Sequence, residues 1–180
     1  MKILVAYYSK SGNSRFLAKR FARDLRCEIE EIKPRMNAMF FQILFSIFKV
    51  GAGIKKLKHD VPSFDQIVLV GPIWMGNFIY PLRRFYGKYD KGIKQVFLVA
   101  SCGGKDADKD SKFGYESTFG KARVLMGPKC IDCVAFPTDL VIPPDKKEDK
   151  DYIMKARLND ENFKGEILSR FEKTVKRIPN

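Results

Sequence analysis

Three uninterrupted apolar runs, ILVAY at 3–7, IVLV at 67–70 and VFLVA at 96–100, constrain this chain more than any other feature. An alternating run would mark a strand with one wet face. A continuous run suits a strand covered on both sides, as in a parallel sheet held between two layers of helix. Between these runs the apolar period changes. Leu17, Phe21 and Leu25 recur at helical spacing with Ala18 and Ala22 beside them, and Phe163, Ile167, Phe171, Val175 and Ile178 do the same near the end. The order read from these patterns begins with strand 2–7, helix 13–26, strand 27–32, an irregular or helical insertion at 34–60 and strand 66–71. It continues with a loop and helix at 72–90, strand 94–101, a polar loop and helix at 102–126, strand 130–136, a charged linker and a C-terminal helix. Strands alternating with helices predict an α/β chain built on a doubly wound, five-stranded parallel sheet. No internal repeat interrupts the pattern, and PPDKKEDKD at 143–151 reads as a solvated linker. Residues 1–180 are therefore expected to form one domain, with an insertion at about 34–60 and a helical extension at about 150–178.

A chain of 180 residues can bury a sizeable core without staples. Its first residues are a charge, Lys2, and then a strand, which predicts no secretory segment, and no apolar run reaches the roughly 20 residues of a membrane span. A cytoplasmic location is the expectation. The cysteines, at 27, 102, 130 and 133, lie mostly in or at the ends of the expected strands, where a thiol packs as a small apolar group. Cys130 and Cys133 have the spacing of a metal or redox pair. In a regular strand, however, residues three apart point to opposite faces, so the pattern predicts separated sulfurs. His59, the single histidine, follows KKLK and reads as a solvated loop residue, which leaves histidine catalysis and multi-histidine metal sites without their ligands. The balance of 34 Lys plus Arg against 21 Asp plus Glu, net +13, implies an anionic partner or surface. The basic residues are spread without interleaved stacking aromatics, which disfavours nucleic acid as that partner.

The segment SKSGNS at 9–14 joins the first strand to the first helix, with Asn13 or Ser14 expected as N-cap. A helix N-terminus offers unpaired N–H groups and a partial positive charge, and Ser9, Ser11 and Ser14 add hydroxyl donors. Together they make a phosphate cradle. The spacing is neither that of a nucleoside-triphosphate loop nor that of the three-glycine dinucleotide fingerprint. In a sheet of this kind ligands sit beyond the carboxyl ends of the strands. Two more loops leave such ends: GPIWMGNFIYP after strand 66–71, and SCGGKDADKDSKFGY after strand 94–101.

Taken together, these three loops resemble those of the flavodoxin-like family, over roughly residues 1–140. The first fits the family pattern Ser/Thr-x-Ser/Thr-Gly-x-Ser/Thr through Ser9, Ser11, Gly12 and Ser14, and the second has Pro-x-Trp-x-Gly at Pro72, Trp74 and Gly76. The resemblance implies a three-layer α/β/α fold and flavin mononucleotide, FMN, as cofactor. Ser9, Ser11, Gly12, Asn13 and Ser14 would hold its phosphate. Pro72, Ile73, Trp74, Met75, Gly76 and Asn77 would hold its ring together with Ser101, Cys102, Gly103 and Gly104. The chemistry of the residues agrees. A flat, mostly apolar ring with polar edges needs aromatic or thioether faces, offered by Trp74 and Met75, and close backbone along its rim, permitted by the glycines. The MGN turn at 75–77 is similar to the Met-Gly-Asp turn of small bacterial flavodoxins, with an amide where the acid is usual. The third loop has no tryptophan, and Phe113 or Tyr115 is left as its stacking residue.

On a helix, Met36, Met39, Phe40, Ile43, Leu44, Ile47 and Phe48 of the insertion form one broad apolar face, widened by Phe41 and Phe45. That is too apolar for a free surface helix, so residues 36–50 are expected to cover the cofactor, face a partner such as a second copy, or lie on a membrane surface. The expected function is electron transfer, or an NAD(P)H- or quinone-linked oxidoreduction, with a redox protein or small molecule as donor or acceptor and no catalytic acid or base. The alternative is a non-catalytic module of the same fold that binds an anionic lipid surface, an acidic protein or nucleic acid.

Overall fold

The computed structural model describes residues 1–36, 53–74, 76–103 and 105–179, with Phe78, Lys150 and Met154 described by their backbone alone. The strands are β1 (Ile3–Tyr7), β2 (Glu28–Glu31), β3 (Gln66–Trp74), β4 (Asn77–Phe78), β5 (Gln95–Cys102) and β6 (Cys130–Pro137). The helices are α1 (Asn13–Asp24), α2 (Tyr80–Tyr89), α3 (Tyr115–Met126), α4 (Lys150–Lys155) and α5 (Glu166–Arg177). Five strands pair in parallel in the order β2-β1-β3-β5-β6, with Tyr7 opposite Val70 and Pro72 opposite Ser101.

The continuous apolar runs lie where both faces are covered. Every residue of β1 is buried, as are residues 66–71 of β3 and 96–101 of β5. On one face Val5, Val68, Val99 and Phe136 meet Leu17 and Phe21 of α1 and Ile167 and Phe171 of α5. Phe21 stacks obliquely on Phe171 with ring centroids 4.6 Å apart. On the other face Leu4, Leu69 and Leu98 meet Phe85 of α2 and Phe119 of α3. Each large side chain so buried contributes about 2 kcal/mol of hydrophobic free energy. The edge strand β2 is only partly covered, which is why it is the most polar of the five.

β3 runs three residues past the expected end at 71 and folds back as a hairpin, with Ile73 opposite Phe78 and Trp74 opposite Asn77. β1 has already ended opposite Val70, so Pro72 stands where β3 has a strand on one side only, and its missing N–H is tolerated there. Gly76 supplies the left-handed residue of the tight turn at φ +66°.

Two sequence expectations need correction. In β6 the register slips, Val96 pairing with Cys130 and Phe97 with Asp132, so that Ile131 is an extra residue. This bulge resets the alternation of faces. Cys130 and Cys133 therefore share a face, both packing on the α2–α3 side, with their sulfurs 3.5 Å apart. His59, expected in solvent, is instead tied down. Its ring Nδ1 and backbone N–H, together with the Lys58 N–H, meet one carboxylate oxygen of Glu30 at 2.8, 2.9 and 2.8 Å, and the ring packs edge-on to Phe64. Glu30 is 5% exposed, and a carboxylate that deep draws in donors.

The apolar helix expected at 36–50 lies outside the described residues apart from Met36. The ends of the segment that contains it come back together beside β2, where Pro34 bridges Ile54 and the Lys55 N–H donates to the Lys33 carbonyl at 2.7 Å. No helix among the described residues is long and apolar enough to cross a membrane.

Candidate functional site

β1, β3 and β5 run in register, so the loops that leave their carboxyl ends converge. Between them lies a cavity of about 230 Å³ lined by Ser11 and Asn13, Pro72 to Trp74, Ser101 to Gly103, Thr138, and Ile153, Ala156 and Arg157 from the C-terminal segment. A larger hollow of about 610 Å³ is lined, among the described residues, by α5 alone.

Gly12, not Asn13 or Ser14, precedes α1 as its N-cap, at φ +103°, and no side chain caps the helix. The reason is that both expected caps are engaged elsewhere. The Asn13 Oδ1 accepts the Leu158 N–H at 3.0 Å, which fastens the C-terminal segment over the loop, and the Ser14 and Ser101 hydroxyls share a buried hydrogen bond of 2.8 Å that joins the first loop to the third. The first helical bond runs from the Phe16 N–H to the Gly12 carbonyl at 2.9 Å, so the N–H groups of Asn13, Ser14 and Arg15 precede the intrahelical ladder. Ser9 accepts the Gly12 N–H through its Oγ at 3.2 Å and keeps its own hydroxyl hydrogen, and Ser11 is exposed at the cavity. Such a set offers N–H and O–H donors at the positive end of a helix. It suits a phosphate better than a cation, which the positive helix end disfavours.

Trp74 is half-buried, walls the cavity and packs edge-on to Tyr8, with centroids 6.3 Å apart. Burial raises the Tyr8 hydroxyl above its ordinary pKa, and among the described residues that hydroxyl is buried without a hydrogen-bond partner. The β3–β4 hairpin is held from below. The Gly76 carbonyl accepts the Lys121 ammonium at 2.7 Å, and a Cβ at Gly76 would come within 3.1 Å of the Lys112 carbonyl and the Phe113 Cα. Asn77 lies in that hairpin opposite Trp74, outside the cavity lining. Met75 and Gly104 lie outside the described residues.

Neither proposed stacking residue of the third loop lines the cavity. Phe113 is exposed. Tyr115 is buried at the start of α3, where its hydroxyl donates to Asp106 at 2.8 Å. Asp106 in turn receives two N–H groups of Arg170, at 2.9 and 3.0 Å, while its own N–H donates to Asp139 at 3.1 Å. Arg170 holds the Asp106 carboxyl below its ordinary pKa, and burial pushes the Tyr115 hydroxyl and the Asp139 carboxyl up. Tyr115 is thus a prop of the third loop. Thr138, Ile153, Ala156 and Arg157 carried no local signal of a role in the site.

Beside the first loop is a second hollow, of about 350 Å³, whose walls include Lys10, Arg15, Lys33, Arg35 and Lys55. The acidic residue there is Glu31, 3.4 Å from Arg15 and 3.3 Å from Lys33.

Strand order, the two helical layers and a cavity at the carboxyl edge define a flavodoxin-like α/β fold. Solved structures agree. A flavoprotein from Lactobacillus acidophilus NCFM, solved in complex with FMN, superposes with a TM-score of 0.60 at 17% identity, covering 74% of this chain and 92% of its own. The Trp repressor binding protein of Bacillus subtilis superposes at 0.55 and 13% identity over 99% of this chain and 100% of its own. The flavodoxin of Streptococcus pneumoniae TIGR4 does so at 0.50 and 14% identity over 99% and 97%. An uncharacterised protein of Archaeoglobus fulgidus is 28% identical over 107 residues, 59% of this chain and 70% of its own. No protein-family model matches the chain.

Proposed function

We propose that this chain binds FMN and acts as a flavin-dependent electron-transfer protein or oxidoreductase. The observation that carries the reading is the convergence of three strand-end loops on one cavity, with the open N-terminus of α1 and its left-handed Gly12 at one side and Trp74 at another. When bound, the flavin supplies hydride or single-electron chemistry, and the chain supplies position and environment. Ser9, Ser11, Gly12 and the leading N–H groups of α1 hold the phosphate. Asn13 and Ser14 serve it indirectly, the first by fastening the C-terminal segment and the second by bracing the loop against Ser101. Pro72, Ile73 and Trp74 with Ser101, Cys102 and Gly103 hold the ring, Asn77 serves through the hairpin that carries Trp74, and Tyr115 supports the third loop through Asp106.

No side chain is assigned as a catalytic acid or base. The basic hollow beside the phosphate loop fits an anionic donor or an acidic redox protein. A membrane surface or a second copy of the chain would meet the apolar segment at 36–50. The test is to purify the protein, release any bound chromophore and identify it by mass. FMN in a yellow protein is the expected result, and a colourless protein that takes up no added FMN contradicts the reading.

A further inference from the structure

The Cys130–Cys133 pair lies at the amino end of β6, away from the cavity, which gathers at the carboxyl ends of the strands. Cys130 opens the strand, and Cys133 stops four residues short of Pro137 at its carboxyl end, about 13 Å at the usual rise per residue; neither lines the cavity. The pair is therefore no part of the flavin site. Three features single it out. The bulge at Ile131 turns both side chains to one face, and the sulfurs stand 3.5 Å apart in hydrogen-bond contact. β6 is an edge strand, bonded on one side to β5, so its backbone can shift to close sulfurs in contact to the roughly 2.05 Å of a disulfide. Both thiols are half-buried, within reach of a small reagent.

We propose that Cys130 and Cys133 form a redox-active dithiol, which small hydroperoxides oxidise to an intrachain disulfide. Cys130 is the attacking group. The Cys133 S–H hydrogen bond and the positive field of Arg123 lower its pKa, while donating that hydrogen bond to Cys130, and then burial, raise that of Cys133. The Cys130 thiolate attacks the terminal oxygen of the hydroperoxide. The O–O bond breaks, the alkoxide or hydroxide leaves and takes up the proton that Cys130 had lost, and Cys130 becomes a sulfenic acid. The Cys133 sulfur then attacks the Cys130 sulfur, the S–O bond breaks, and water departs with the Cys133 proton. Two thiols and one hydroperoxide thus give one disulfide, one alcohol or water, and one further water, the thiols losing two electrons and the peroxide gaining them. An external dithiol restores the reduced pair by exchange.

Cys27 is an internal control, since burial pushes its thiol up to about 11. The full-length protein, with or without FMN, is exposed to limiting hydrogen peroxide, quenched with an alkylating agent and mapped by peptide mass. The Cys130–Cys133 disulfide is expected to form about tenfold faster than Cys27 is modified, and dithiothreitol should reverse it. In Cys133→Ser, a sulfenic acid trappable by a dimedone probe should appear on Cys130. Alkylation of Cys130 and Cys133 undiminished by peroxide, or a disulfide only between separate chains, would overturn the proposal. Because the readout is a thiol map, its failure is distinguishable from failure to bind a flavin.

Discussion

At the scale of single residues, the third loop depends on one carboxylate. Asp106 collects Arg170, the Tyr115 hydroxyl and, through its N–H, Asp139, so its removal unties the loop from both α3 and α5. The pair is about one-quarter to one-third exposed, 23% for Arg170 and 31% for Asp106, so the cost of Asp106→Asn is about 1–2 kcal/mol rather than that of a fully buried pair. Its pH dependence has a definite sign. The Asp106 carboxyl is held low in the folded state, so its contribution is present above the ordinary aspartate range near pH 4 and is lost as pH falls through its folded value. Asp139, raised by burial, works the other way: what it contributes is present below the ordinary range and is lost as pH rises through its raised value. The gap in denaturant midpoint between wild type and Asp106→Asn should shrink from pH 7 to pH 3, and a gap undiminished at pH 3 contradicts the ion-pair account. The loop residues that could touch a phosphate were legible from SKSGNS. That Asn13 and Ser14 are engaged elsewhere was not, because their partners lie 145 and 87 positions away.

Among the elements, the alternation of strand and helix was readable because each central strand is buried on both faces and each helix keeps its apolar stripe. The β4 hairpin was missed because Pro72 and Gly76 read as loop residues, and the bulge in β6 because one extra residue leaves no mark on composition. The C-terminal segment is the larger surprise. Read as a charged linker and helical extension, it places Ile153, Ala156 and Arg157 on the cavity and is fastened by the Leu158 N–H to Asn13. Asn13→Ala leaves that buried N–H unpaired, a loss of about 1–2 kcal/mol in stability. FMN should dissociate faster from this variant, with its affinity lowered about tenfold, in stopped-flow displacement. Unchanged dissociation would mean that the segment does not close the site.

Over the whole molecule the net charge of +13 is the property that bears most on a flavin held at the carboxyl edge of the sheet. Lys10 lies within the first loop with Arg15 just after it, and Lys105 lies within the third, Arg15 being paired with Glu31 at 3.4 Å and Lys105 with Glu148 at 3.9 Å. Of the acids in the third loop, Asp106 is paired with Arg170, while Asp108 and Asp110 are exposed and oppose the field if they turn toward the ring. A unit charge about 8 Å from the ring contributes on the order of 2 kcal/mol at an effective dielectric of about 20, or roughly 90 mV for one electron, before screening. If FMN binds here as proposed, its second one-electron potential should therefore lie above that of the same flavin in an acidic surround. A spectroelectrochemical titration that finds a strongly reducing second step contradicts this. The central claim, that the loop at 9–14 is built for one terminal phosphate, is tested most directly by titrating the apoprotein with FMN and with riboflavin, which differ by that phosphate alone. Several charge-assisted hydrogen bonds to a dianion predict FMN binding at least about 100-fold tighter. Gly12→Ala, strained by about 1–2 kcal/mol at φ +103°, should erase most of that preference, and equal affinities for the two flavins in the wild-type protein would contradict the claim.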